Sequence, residues 1–222
     1  MLALVVAAIS AATVGAIVLE LDMETAATAV DPRERVVRVV GLGCARSIGG
    51  SGALVGDDLV LTSGHLVVGV PEVTVLTSDG SEFPADVVHV DRTLDAAVLR
   101  VFGLGSIPEV EFGDAATGDI GQVEILSAQG ERVPQAYVVD RRIRASTDNV
   151  GRTEVIERRS LQLSAEIVRG DSGALLFDER DRAVGLIWST SKRGETAYAV
   201  RGDELSPLIE TAKLAPSGPG GC

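Results

Sequence analysis

The sequence predicts an all-β protein. Short runs of β-branched and aliphatic residues recur between Gly- and Asp-containing turns from Val36 onward, the pattern of a sandwich or barrel. Twenty-five glycines and only 3% aromatic residues suit a turn-rich, strand-rich chain better than a helical bundle. A length of 222 residues, 45% of them hydrophobic, suffices for one sizeable domain or two small barrels sharing an interface.

Taken in order, Leu2 to Leu19 is an apolar run interrupted only by Ser10, Thr13 and Gly15, about the length that crosses a bilayer as a helix. It reads as a membrane anchor, the alternatives being a signal peptide cut after Ala27-Thr28-Ala29 and a buried core helix. Residues 1–21 are therefore assigned to a transmembrane or signal segment, and 22–35, polar and containing Asp31-Pro32, to a linker. The first predicted strand is Val36–Val40. Gly50–Val55, Leu59–Thr62, Val73–Leu76, Phe83–Val90 and Ala96–Val101 follow. Residues 103–120 read as a connection. A second series comprises Gln122–Leu126, Val133–Arg144, Val155–Ser164, Ala174–Phe177, Ala183–Ser189 and Thr196–Val200. A last helix spans 203–214, capped by Asp203 or Ser206 with Pro207 near its first turn, and 215–222 is a Pro/Gly-rich tail.

The formal net charge of −12 argues against nucleic acid as a partner, because phosphate recognition needs a basic face. With two histidines and two cysteines, Cys44 and Cys222, none in ligand spacing, no metal site and no cofactor is expected. The cysteines are either two thiols or one disulfide.

Val168-Arg169-Gly170-Asp171-Ser172-Gly173 carries the chemistry. Its glycines let the backbone turn so that amide N–H groups converge beside a serine hydroxyl, which then attacks a carbonyl while the amides receive the oxyanion. The bland alternative is a turn between strands. A nucleophilic serine needs a base and an acid. His65 follows Leu59-Val60-Leu61-Thr62-Ser63-Gly64, at the end of an apolar strand, where a scaffold hands a polar group to a cleft. His89 lies inside Val87-Val88-His89-Val90 and reads as a sheet-surface residue. Asp95 heads the buried run Ala96-Ala97-Val98-Leu99, placed to orient an imidazole. Both histidines precede Ser172, and Ala174 breaks the G-x-S-x-G pattern, which excludes the α/β-hydrolase order. The order His65, Asp95, Ser172 on an all-β pattern is that of chymotrypsin-like enzymes.

With these motifs the chain resembles the trypsin-like serine proteases, in the bacterial branch that includes the HtrA-type enzymes. Gly50-Ser51-Gly52-Ala53 to Thr62-Ser63-Gly64-His65 is similar to the family's histidine segment, Leu94 to Leu99 to its aspartate segment, and Leu161 to Gly173 to its nucleophile segment. Phe112-Gly113-Asp114 matches the connection, so the likeness runs from about Val36 to Val200. The apolar N-terminal run, Cys44 and the tail cysteine add a similarity to the membrane-anchored periplasmic acid-resistance protease of actinobacteria. Ser63-Gly64, Arg169 and Ala174-Leu175 depart from the usual residues, and no PDZ-like module follows, so regulation by one is not expected.

The resemblance implies two six-stranded antiparallel β-barrels, at about 36–102 and 121–202 within a protease domain of 36–214, with a C-terminal helix and an N-terminal hydrophobic helix. It implies an exported serine endopeptidase acting on protein or peptide through an acyl-enzyme, with His65, Asp95 and Ser172 as triad and the N–H groups of Gly170 and Ser172 as oxyanion hole. It places Trp188, Ser189, Thr190 and Thr196 in the pocket wall and Glu166 near its base. Export through the N-terminal segment puts the domain outside the cytoplasm, membrane-bound or secreted, where Cys44 and Cys222 are expected to pair. The competing reading is a catalytically silent domain that binds peptides or envelope proteins.

Overall fold

A computed structural model describes residues 35–43, 47–105, 107–191 and 195–214. The apolar segment, most of the linker, both cysteines and the tail lie outside them, and with them the expectations of an N-terminal helix and a disulfide. Among the described residues no helix is long and apolar enough to cross a membrane.

Among the described residues, twelve strands and one α-helix follow in the expected order. The first six are β1 (Val36–Leu42), β2 (Ser47–Gly56), β3 (Leu59–Ser63), β4 (Glu72–Leu76), β5 (Glu82–Asp91) and β6 (Ala96–Arg100). They close into an antiparallel barrel in the order β1-β2-β3-β6-β5-β4. The second six are β7 (Ile120–Leu126), β8 (Arg132–Asp148), β9 (Val155–Ser164), β10 (Leu175–Phe177), β11 (Ala183–Thr190) and β12 (Thr196–Arg201). They close as β10-β11-β12-β9-β8-β7. The helix α1 is Gly202–Leu214.

The apolar runs of β3 and β6 are continuous because both faces are buried. Val60, Ala97 and Leu99 point into the first barrel's core with Val37, Val39 and Val75. Their neighbours Leu59, Leu61, Ala96 and Val98 face outward, onto a second core shared with Leu175, Leu186 and Val200 of the second barrel and Leu205, Leu208 and Ile209 of α1. The period of two along a strand thus feeds two cores from one sequence. This shared core fixes the barrels against each other, and the site lies along their junction.

Many predicted strand ends shift by one to three residues, and two boundaries have a clear physical cause. The helix begins at Gly202, so Asp203 and Glu204 lie in its first turn and Pro207 lies inside it. The reason is packing: a side chain on Gly202 would come within 2.2 Å of the Gly113 carbonyl oxygen, so the chain enters the helix pressed against the inter-barrel connection. Arg201 and Arg159 hold the two acids there, Arg201 Nη2 donating to Asp203 at 2.7 Å. The strand β8 runs four residues beyond its predicted end at Arg144, paired with β9 as far as Asp148↔Val155. Backbone pairing sustains this extension, whose side chains alternate between half-buried and exposed.

Candidate active site

His65 sits in a single 3₁₀ turn, Gly64–Leu66, directly after β3. Asp95 precedes β6, the strand paired with β3, in the register Ser63↔Ala96. The pairing brings the two residues together. The His65 N–H donates to Asp95 Oδ1 at 2.8 Å, and the Gly64 N–H donates to the Asp95 carbonyl at 2.9 Å. His65 Nδ1 lies 2.9 Å from Asp95 Oδ2 and 3.2 Å from Oδ1. A carboxylate only accepts, so Nδ1 carries the proton, and in the neutral ring Nε2, on the other side, is the acceptor. Asp95 is 6% exposed and has φ +58°, a left-handed conformation that aspartate tolerates better than most residues. His89 lies within β5, in the part paired with β6, and has no part in this arrangement.

Ser172 belongs to the second barrel, in the turn before β10. Backbone bonds hold it. The Ser51 N–H of β2 donates to the Ser172 carbonyl at 2.8 Å, and the Gly173 N–H donates to Ile187 of β11 at 2.8 Å. Asp171 folds the turn upon itself: its N–H donates to the Val168 carbonyl at 3.2 Å, and its Oδ2 accepts the Val168 N–H at 2.8 Å. Burial pushes the Asp171 carboxyl above its ordinary value, opposed by that N–H and by Arg38. Gly173 has φ +93°, and a Cβ there would stand 2.0 Å from the Ser51 carbonyl oxygen. Gly170 has φ +110°. Among the described residues the N–H groups of Gly170 and Ser172 find no carbonyl or side-chain acceptor.

Gly50 is the seam between the two halves. A Cβ on it would lie 2.3 Å from Leu66, the neighbour of His65, and 2.8 Å from the Ser172 carbonyl oxygen. Ser172 Oγ makes no hydrogen bond to His65 among the described residues; such bonds commonly tighten only with substrate bound.

The expected pocket residues divide. Thr190 Oγ1 donates to the Ile167 carbonyl at 2.7 Å, tying the end of β11 to the stretch before Ser172. Ser189, Thr190 and Thr196 are half-buried, and Glu166 is exposed. Trp188 is packed on both sides, with Tyr198 at 6.0 Å between centroids and the Arg158 guanidinium 4.5 Å from its ring. Sequence reasoning missed two contributors. Ser63, fully buried, donates through Oγ to the Ile187 carbonyl at 3.0 Å, joining the barrels at the carbonyl that also receives Gly173. Arg158, 2% exposed, reaches from β9 to within 3.9 Å of Asp95 Oδ2. The Ser63-Gly64 pair before the histidine, which departs from the usual residues, was a visible signal for the first. The second lies within Glu157-Arg158-Arg159, which reads as a solvated face. A concavity of about 640 Å³ on the second barrel, lined by Ile120, Tyr137, Val138 and Phe177 among others, contains none of these residues.

Two closed antiparallel barrels, with a buried Asp–His pair ending one and a Gly-Asp-Ser-Gly turn on the other, define the chymotrypsin-like class. Residues 50–186 match the family model described as the trypsin-like peptidase domain, and the chain belongs to that family. It is 28% identical over 198 residues to the serine protease Rv3671c of Mycobacterium tuberculosis, covering 87% of this chain and 50% of that protein. It is 33% identical over 158 residues to the serine endoprotease DegS of Haemophilus influenzae, covering 68% of this chain and 44% of DegS. The chain spans about half the length of the curated relatives it matches. Among solved structures it superposes on the active form of the Rv3671c protease with a TM-score of 0.77 at 26% identity, covering 86% of each chain. An inactive form gives 0.69, covering 82% of this chain and 90% of that one.

Proposed function

We propose that the chain is a serine endopeptidase with His65, Asp95 and Ser172 as its triad. The observation that carries this is the buried Asp95 carboxylate within hydrogen-bond reach of His65 Nδ1, at a barrel end that meets the Ser172 turn across Gly50. Ser172 Oγ attacks the peptide carbonyl as His65 Nε2 takes its proton. Asp95 stabilises the imidazolium that forms and does not itself take the proton. The N–H groups of Gly170 and Ser172 receive the oxyanion, each such donor typically lowering the barrier by about 3 kcal/mol. Collapse of the intermediate passes the proton from His65 to the leaving amine. Water, activated by the same imidazole, then releases the acyl group. Substrate side chains are received between the 188–190 and 165–169 segments, which Thr190 ties together.

The protease is further proposed to act outside the cytoplasm. The apolar run Leu2–Leu19 supports this, as does the similarity, 26% identity over 176 residues, to a protein named probable periplasmic serine endoprotease DegP-like of Rickettsia prowazekii. That similarity covers 74% of this chain and 33% of the relative. In an oxidising compartment Cys44 and Cys222 pair; mass spectrometry of unreduced, alkylated protein from the cell envelope then finds neither cysteine alkylated, and alkylation of both contradicts the pairing.

The triad is tested by hydrolysis of an unfolded protein substrate. Ser172→Ala and His65→Ala lower the rate by several orders of magnitude, whereas His89→Ala leaves it near wild type. Loss of turnover in a folded His89→Ala protein with His65→Ala intact overturns the assignment of the base.

A further inference from the structure

Arg158 is a cation with almost no access to water, 2% exposed, held by contacts at Nε, at Nη1 and on one face of its guanidinium. Period-two alternation along β9 turns Arg159 out to solvent and Arg158 in. Its Nε donates to the Thr93 carbonyl at 2.7 Å, and Nη1 forms an ion pair with Asp95 Oδ2 at 3.9 Å. Its face lies on the Trp188 indole, 4.5 Å from the ring centroid. The indole is fixed in turn by Nε1–H donating to Ser160 Oγ at 3.3 Å. The tip of the same hairpin takes a second grip on the same loop. Val150 N–H donates to the Arg92 carbonyl, and Arg92 Nη1 donates to the Val150 carbonyl, each at 3.0 Å. The second barrel's longest hairpin thus clasps residues 92–95 of the first barrel, the loop that ends in Asp95. Burying an arginine without purpose is costly.

We propose that Arg158 is a positioning residue of this protease, acting through Asp95: it anchors the aspartate loop from the opposite barrel and offsets the charge of the carboxylate that faces His65. The proposal rests on the triad reading given above. Its physical content has two parts. The guanidinium, bonded through Nε to the Thr93 carbonyl and ion-paired with Asp95 at 3.9 Å, holds the loop so that the carboxylate stays beside His65 Nδ1. The positive charge stands on the far side of Asp95 from the imidazolium, so removing it favours the imidazolium relative to wild type. The charged groups facing this cluster are His65 from the turn after β3, Asp95 before β6, Asp91 at the end of β5 and Arg158 itself. Asp91 adds its attraction to the Arg158 guanidinium, and Arg92 is turned to the Val150 carbonyl.

The test compares Arg158→Gln and Arg158→Lys with wild type in kcat, KM and the pH dependence of kcat/KM. Arg158→Gln lowers kcat by about 10- to 100-fold with KM within about 3-fold, and moves the acid limb up by about one pH unit. Arg158→Lys keeps the charge and loses the guanidinium, so it leaves the limb in place while kcat falls several-fold. A merely structural role would lower the yield of folded protein without moving the limb. Should Arg158→Gln not fold, the lysine variant carries the test through its kcat. The downfield proton resonance of the His65–Asp95 hydrogen bond supplies a readout without turnover, measured in a Ser172→Ala background. Its titration midpoint rises by a similar amount when Arg158→Gln is added. Wild-type kcat in Arg158→Lys, or a wild-type limb and midpoint in folded Arg158→Gln, overturns the proposal. An inactive wild type whose resonance still responds to Arg158→Gln overturns the triad reading instead.

Discussion

In the first barrel His65 and Asp95 meet side chain to side chain; in the second, Ser172 is held almost wholly by backbone. Asp95 accepts from both the main chain and the ring of His65, and the β3–β6 register supplies the proximity. The Ser172 turn instead hangs on N–H···O=C bonds to Ser51 and Ile187, with Val168 60% exposed on its outer side. On the triad proposed above, the difference follows from what each half must present. An acid–base pair needs one tautomer and one ring orientation, which a buried carboxylate imposes. A nucleophile with an oxyanion hole needs free amides aimed at one point, which demands glycine conformations and bars regular pairing. The first half is sensitive to changes of chemical group, the second to changes of backbone freedom.

The largest effect is expected from exchanging one atom pair in the first half. Asp95→Asn keeps the shape of the side chain but offers an amide to His65 Nδ1. The ring then places its proton on Nε2, where it cannot accept from Ser172, and activity falls by roughly three to four orders of magnitude with little change in the melting curve. The complementary change in the second half is Gly173→Ala. Here a Cβ 2.0 Å from the Ser51 carbonyl, on a backbone at φ +93°, forces the turn apart. Denaturant melts should show a loss of about 3 kcal/mol or more together with lost activity. An alanine variant that stayed stable and active would mean that the turn is far more plastic than this comparison holds.

The smallest effect concerns Asp171, whose side chain accepts the Val168 N–H and so folds the serine turn. Burial raises its carboxyl above the ordinary value of 3.8, so the folded chain binds that proton more tightly than the unfolded chain. Its contribution to stability therefore grows as pH falls through the raised value and is lost as pH rises through it. Asp171→Asn keeps an acceptor for the Val168 N–H and should flatten this part of the profile, with a gain of about 1 kcal/mol or less at neutral pH. Thermal melts between pH 4 and 7, compared with wild type, check the sign.

The strands were legible because each barrel's core needs apolar residues at period two, and β3 and β6, buried on both faces, needed them at every position. The placement of His65, Asp95 and Ser172 beside strand ends was legible for a related reason: the apolar runs that make β3, β6 and β10 stop or start next to them. The extension of β8 past Arg144 was not, because backbone pairing of a half-exposed ribbon demands no hydrophobic pattern. Nor was Arg158. Arginine beside arginine and glutamate reads as surface, and only the register of β9 against β8 and β12 shows which of the two neighbours turns inward. The exposure of Glu166 was equally out of reach, since it depends on how the 165–169 segment is tied back through Thr190.

The most direct measurement is the covalent one: reaction of the folded protein with a fluorophosphonate, followed by intact mass and peptide mapping. The triad account predicts one adduct per chain, on Ser172, absent in Ser172→Ala and strongly slowed in His65→Ala. A folded wild-type protein that takes no label, or takes it on another residue, would contradict it.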